Sequence, residues 1–234
     1  MKHRPRYLIA GASRGIGAAV AEHFASRDAD LLLVSRSQPP LPGARAQWVE
    51  ADLAQPAGIA AVVRAIGEHP LDALLYTGGT WERGAFTSDY DFARSDYAET
   101  LKVLAVNLIA PIELMRAAAA NLKQAPNPRA VYVGALSGLD NAAGPEVANK
   151  ASKFGLRGAV QALRLTLAEQ GIGLTIIHPG NVATPEVLDD IAENRFPAQT
   201  PIPMSDLLAT MDYVLSASAD CEIREIQLAQ RKTE

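Results

Sequence analysis

The run Tyr7-Leu8-Ile9-Ala10 passes straight into Gly11-Ala12-Ser13-Arg14-Gly15-Ile16-Gly17, and a helical pattern follows. A short apolar strand, a glycine-rich turn and a helix start, in that order, leave a chain few architectures. Glycines let the backbone turn tightly and come close to a ligand. The free N–H groups and positive dipole end of the helix then favour an anion. These are the parts that hold a pyrophosphate. The spacing is G-x-x-x-G-x-G rather than the G-x-G-x-x-G of the common dinucleotide fingerprint. A plain glycine turn closing a strand onto a helix is the alternative, and the position of the motif in the first strand–helix unit argues against it.

The same alternation continues along the chain. Apolar β-type runs occupy residues 7–10, 31–35, 47–49, 71–76, 130–133, 174–178 and 223–228, and helical patterns occupy 15–26, 59–67, 101–122, 151–169 and 206–215. Buried strands alternating with covering helices predict parallel pairing through right-handed crossovers. The expected fold is α/β: a single Rossmann-type doubly wound parallel sheet of about seven strands with helices on both faces, in one domain over residues 1–234. Segment 184–203 carries Pro185, Pro197, Pro201 and Pro203 and follows the end of a strand. Ligands of open α/β sheets bind at such ends, so an irregular substrate-covering loop is expected there.

Composition removes several functions. The net charge is -4 with no basic cluster, so no nucleic-acid partner is expected. Cys221 is the only cysteine and the four histidines lie scattered, so no metal site is expected. The apolar run at 7–10 is too short for a signal or membrane segment, and a cytoplasmic protein without a membrane partner is expected.

The second strand ends Leu33-Val34-Ser35-Arg36. An NAD enzyme usually places a carboxylate here for the ribose 2′-hydroxyl. Arg36, with Arg14 in the glycine loop, suits a 2′-phosphate through charge-assisted bonds, which selects NADP(H). Two solvated surface arginines are the alternative. Asp52-Leu53 follows the third strand. Its carboxylate suits the adenine amino group, and equally suits capping the helix that begins near Pro56.

Together these features resemble the short-chain dehydrogenase/reductase family over essentially the whole chain. Gly11, Gly15 and Gly17 match the family's cofactor loop, and Asp52-Leu53 matches its adenine contact. Tyr76-Thr77-Gly78-Gly79 stands where the family has Asn-Asn-Ala-Gly and keeps only the final glycine. Asn107 matches the helix asparagine of the catalytic tetrad, Lys153 the catalytic lysine, and Pro179-Gly180-Asn181-Val182-Ala183-Thr184 the segment near the nicotinamide. The resemblance implies NADP(H) held by Gly11, Ser13, Arg14, Gly15, Ile16, Gly17, Arg36, Asp52, Leu53, Gly79, Asn107, Lys153, Pro179, Gly180, Val182 and Thr184. It also implies a homodimer or homotetramer, with helices 101–122 and 151–169 between subunits, although the glycine-rich ending common in the family is missing.

Two departures fall on the chemistry. The family's proton-donating tyrosine, four residues before the lysine, is Asn149 here. The serine after the fifth strand falls on Ala135, with Ser137 slightly later. The catalytic candidates are therefore Asn107, Asn149, Lys153 and Ser137. An amide donates hydrogen bonds but does not titrate usefully, and losing a positioned general acid costs roughly 10²–10⁴ in rate. Three readings follow. One is a reductase with another proton path, through Lys153 or through Glu146, Asp140, Tyr76, Tyr90 or Tyr97. Another is a reductase for iminium ions, enones or quinones, which need no acid at the reacting carbon. The last is non-redox: an NADP(H) sensor, or a cyclase or isomerase. Segments 136–146 and 184–203, with Leu136, Leu139, Val147, Val187 and Leu188, predict a partly apolar small-molecule substrate.

Overall fold

The computed structural model describes residues 3–40, 43, 45–140, 144–196 and 198–231. Its strands are β1 (Arg6–Ala10), β2 (Asp30–Ser35), β3 (Ala46–Glu50), β4 (Ala73–Tyr76), β5 (Arg129–Val133), β6 (Gly173–Pro179) and β7 (Glu225–Leu228). They form one seven-stranded sheet in the order β3-β2-β1-β4-β5-β6-β7, and every neighbouring pair is parallel. The chain winds outward from β1 to β3, then crosses back to β4 on the other side of β1. That reversal opens a crevice above the ends of β1 and β4, where ligands of such sheets bind.

The inner strands β1, β2, β4, β5 and β6 are buried on both faces, and their side chains alternate between two cores. Leu8, Leu32, Leu74, Tyr132, Leu174 and Ile176 point to one side, which is covered by α2 (Pro56–Ile66), α4 (Ala110–Leu122) and α5 (Val147–Thr166). Ile9, Leu31, Leu33, Leu75, Val131 and Ile177 point to the other, covered by α1 (Gly15–Ala25) and α7 (Met204–Ser216). The doubly wound α/β architecture is the expected one.

The helices expected over 101–122 and 151–169 differ from the sequence expectation. The helix expected over 101–122 starts earlier, as α3 (Tyr97–Leu104), because the Asp96 side chain accepts from Glu99 N–H and caps it. It then passes through a π turn, Ala105–Ile109, before α4. This run of 26 residues has a stretch of mean hydropathy 1.6, long and apolar enough to cross a membrane by composition. Here its apolar stripe, including Val103, Leu114, Met115 and Leu122, is buried in the core. Helix α5 begins at Val147 rather than near residue 151.

The irregular loop expected over 184–203 is corrected in its first half, which is the helix α6 (Pro185–Ala192). Thr184 caps it by accepting from Val187 N–H at 3.3 Å, and Pro185 takes the first helical position, where no N–H is needed. A bridge between Val182 and Ile202 ties the segment's far end back to the end of β6. Residues 141–143 of the expected pocket wall and Pro197 of the expected loop lie outside the described residues.

Candidate active site and cofactor cleft

The glycine loop is built for close backbone approach. A Cβ on Gly17 would stand 1.9 Å from the Gly11 carbonyl oxygen, and one on Gly11 (φ 89°) would stand 2.6 Å from Gly78 Cα. Only glycine fits at either place. Helix α1 has no side-chain cap at Arg14, which leaves its first-turn N–H groups available to an anion. Gly15 faces the start of α6: its Cβ position lies 3.7 Å from Thr184 Cγ2 and 3.6 Å from a Glu186 carboxylate oxygen. Gly79 lies over the catalytic candidates, with its Cβ position 4.0 Å from both Asn107 Oδ1 and Lys153 Nζ.

The other cofactor candidates flank this cleft at the strand ends. Arg14 and Arg36 are exposed and Ser13 is half-buried, while Ile16 packs against the core beneath α1. Asp52 accepts from Ala54 N–H at 3.0 Å in a turn ahead of α2, whose cap residue is Gln55. Asp52 therefore does not cap α2, and Leu53 packs into the core beside it. Pro179 ends β6, a Cβ on Gly180 would stand 2.5 Å from Gln230 Oε1 and displace that side chain, and Val182 is buried.

Two of the catalytic candidates, Asn107 and Asn149, are joined by one buried network. Asn107 sits in the π turn, where Nδ2 donates to the Thr80 carbonyl at 2.8 Å and to Ser152 Oγ at 3.0 Å. Its Oδ1 accepts from Thr80 N–H at 2.9 Å. Ser152 Oγ in turn donates to the Asn149 carbonyl at 2.6 Å. Glu82, buried in the loop after β4, accepts from Ala148 N–H at 2.6 Å and from Asn149 N–H at 3.1 Å. A carboxylate from far along the chain thus satisfies the open N–H groups of the first turn of α5 and suits its dipole. The Asn149 backbone is therefore held at both its N–H and its carbonyl.

Lys153 follows Asn149 by one helical turn. Its Nζ donates to the Val133 carbonyl at 3.3 Å, and among the described residues no carboxylate pairs with it. Burial alone lowers its pKa from 10.5 to about 8. Ala135 is half-buried at the end of β5, and its carbonyl lies 3.2 Å from His178 Nδ1, which fixes the imidazole proton on that nitrogen. Ser137 is half-buried in a 3₁₀ turn, Leu136–Gly138, that packs on α5 at Lys153: a Cβ on Gly138 would meet the Lys153 carbonyl at 2.9 Å.

The alternative proton sources divide between the start of α5, where Glu146 and Tyr90 lie, and positions away from it. Tyr76 is fully buried beneath Gly78, its hydroxyl donates to the Val106 carbonyl of the π turn, and burial pushes its pKa up. Tyr97 is 77% exposed at the outer start of α3. Tyr90 Oη accepts from Val147 N–H at 3.1 Å. Glu146 is buried and accepts from Phe86 N–H at 2.9 Å, while Asp140 is exposed. Thr80, Glu82 and Ser152 were not among the sequence candidates. Each acts through a contact at least 27 residues distant in the chain, which no local pattern reveals. A separate cavity of about 530 Å³, lined by His3, Arg4, Arg6, Asp30 and Arg45, lies at the N-terminal ends of the strands, opposite the glycine loop.

Comparison with known proteins agrees with this geometry. The sequence model of the short chain dehydrogenase family matches residues 6–194. Among similar proteins, the short chain dehydrogenase adrF of Penicillium rubens is 30% identical over 91% of this chain and 80% of its own length. The ketoacyl reductase HetN of Nostoc is 29% identical over 75% of this chain, a match that spans 63% of HetN. Among solved structures, ElxO with NADP bound superposes with a TM-score of 0.81 at 16% identity, covering 97% of this chain and 98% of that one. A 4-hydroxyisoleucine dehydrogenase complexed with NADH gives 0.81 at 22%, covering 97% of each chain. With the family model matching residues 6–194 and a relative 30% identical over 91% of this chain, the chain belongs to the short-chain dehydrogenase family.

Proposed function

We propose that this protein is an NADP(H)-dependent oxidoreductase whose substrate accepts hydride without a positioned general acid, such as an iminium ion, an enone or a quinone. The observation that carries this reading is Asn149, fixed one helical turn before the buried Lys153 by Glu82 and Ser152. The cofactor-side residues are kept while the proton donor is replaced by an amide. A reduced nicotinamide held at the glycine loop and Lys153 would supply hydride; an iminium ion accepting it at carbon, its C=N π pair becoming the nitrogen lone pair, would leave as a neutral amine. A quinone takes hydride at an unsaturated position, delocalises the charge and draws its proton from water. Neither route asks Asn149 for a proton. NADPH absorbance, followed with matched ketones, imines, enones and quinones, tests this. Turnover of the last three but not of ketones supports it. Tight NADPH binding without turnover of any class favours a non-redox role instead.

Arg14 and Arg36, both exposed at the cleft's edge, support NADP(H) over NAD(H), because two guanidinium groups suit a 2′-phosphate. Arg36→Asp is expected to weaken NADPH binding about tenfold or more while changing NADH binding little. Equal weakening in fluorescence titrations of the two cofactors would remove the assignment. Glu186, opposite Gly15, is expected to turn away when the pyrophosphate enters, since like charges repel.

The outer faces of α3, the π turn and α5 leave Leu101, Ile109, Val147 and Leu165 exposed. Such apolar surface supports self-association, and a homodimer or homotetramer is the expected state. Sedimentation equilibrium at micromolar concentration giving the mass of one chain would contradict it.

A further inference from the structure

We propose that Trp81, Phe86 and Phe196 form a substrate subsite for a flat conjugated ring, set between the loop after β4 and the segment after α6. Trp81 meets Phe86 edge-on, with centroids 5.7 Å apart at 64°, and Phe86 meets Phe196 at 6.3 Å and 88°. Trp81 is 52% exposed and Phe86 40% exposed, so two of these rings remain largely uncovered.

The backbone beneath the rings is fixed by groups of the catalytic network. Thr80, just before Trp81, is held on both its N–H and its carbonyl by Asn107. Glu82, just after Trp81, is 2% exposed and bonded to the first turn of α5 at Asn149. Phe86 adopts φ 68°, a left-handed conformation that a bulky side chain disfavours. Its N–H is held at 2.9 Å by Glu146, itself 5% exposed and the cap residue of α5. Two buried carboxylates thus hold a strained, half-exposed aromatic loop beside Asn149. Phe196 comes from the segment after α6, whose beginning faces the glycine loop. Closing a loop does not require large rings held partly in water on a strained backbone; presenting them to a planar guest does.

Placement of that guest at Asn149 rests on the proposed reductase reading. The two lines of reasoning converge, because an enone or quinone that accepts hydride without a positioned acid spreads its charge over a conjugated, planar system, and an iminium group conjugated to a ring is planar as well. Edge and face contacts with three aromatic rings select such a shape over a saturated one.

The test uses two unreactive probes of similar size, planar 2-naphthol and saturated decahydro-2-naphthol, titrated calorimetrically into the protein with and without saturating NADP⁺. The expected result is a preference of about fivefold or more for 2-naphthol. Trp81→Leu and Phe196→Leu are each expected to reduce that preference, with circular dichroism and NADP⁺ affinity unchanged. Equal affinity for the two probes, no binding of either, or a preference that survives both substitutions would overturn the proposal. Self-association lost in Trp81→Leu would also overturn it, by giving the rings to a second copy of the chain. Trp81-dependent binding of 2-naphthol in a protein that binds no NADP⁺ would sustain the subsite while removing the reductase reading.

Discussion

Asn149→Tyr combined with Ala135→Ser is expected to raise NADPH-dependent ketone reduction by about a hundredfold, the low end of what a positioned general acid supplies. Asn149 and Lys153 are four residues apart on α5 and share a helix face. A tyrosine at 149 would stand within reach of a buried cation, and a nearby cation lowers a phenol's pKa toward the working range. A serine at 135 would add a hydroxyl at the end of β5, where the backbone is extended and the residue half-buried. NADPH affinity should stay within about twofold of the parent, because no cofactor-side residue changes. A steady-state assay with a panel of ketones reads the gain. A folded, NADPH-binding double variant without gain would show that more than the acid is missing.

Lys153→Met is expected to act with opposite signs on stability and on function. Burial alone lowers the lysine's pKa from 10.5 to about 8, so the folded state carries a poorly compensated cation below pH 8. The sign follows from proton binding. Between about pH 8 and 10.5 the unfolded chain holds a proton that the folded chain has lost, so the parent's stability rises with pH through that window. Below pH 8 the full cost of the buried charge is present, roughly 1–3 kcal/mol. Methionine removes it, so the variant apoprotein should be more stable than the parent at pH 7 by roughly 1–3 kcal/mol. The difference should shrink as pH rises through the window. NADPH binding should fall at the same time, because Nζ lies beneath Gly79 in the cleft. Denaturant unfolding at pH 7 and pH 10, beside NADPH titration, measures both. A variant less stable than the parent at pH 7 would show that the Val133 carbonyl contact compensates the charge after all.

The sheet was legible because its strands are short apolar runs divided by helical patterns, and because Gly11, Gly15 and Gly17 mark the first crossover. Local signals also announced α6: Thr184-Pro185 is a cap followed by a first-turn proline, but four prolines between 185 and 203 gave the stretch the look of a loop. The early start of α5 was not legible. Its cap residue, Glu146, makes no capping side-chain bond, and the first-turn N–H groups are satisfied by Glu82 from another part of the chain. The π turn at Asn107 was hidden for a similar reason, since the apolar pattern runs through it unbroken while Thr80 and Ser152 hold it in place. The candidates at Asn107, Asn149 and Lys153 were readable one by one. The network that binds Asn107 to Asn149 through Ser152 depends on tertiary contact and was not.

The proposed loss of the proton donor at position 149, beside a cleft proposed to hold NADPH, is checked most directly by single-turnover oxidation of bound NADPH with two bicyclic acceptors, 3,4-dihydroisoquinolinium and 2-tetralone, at pH 7. Rapid cofactor oxidation by the iminium ion, with the ketone slower by about a hundredfold or more, is the predicted result. Ketone reduction as fast as iminium reduction would contradict it, and would show that an acid reaches the substrate from elsewhere.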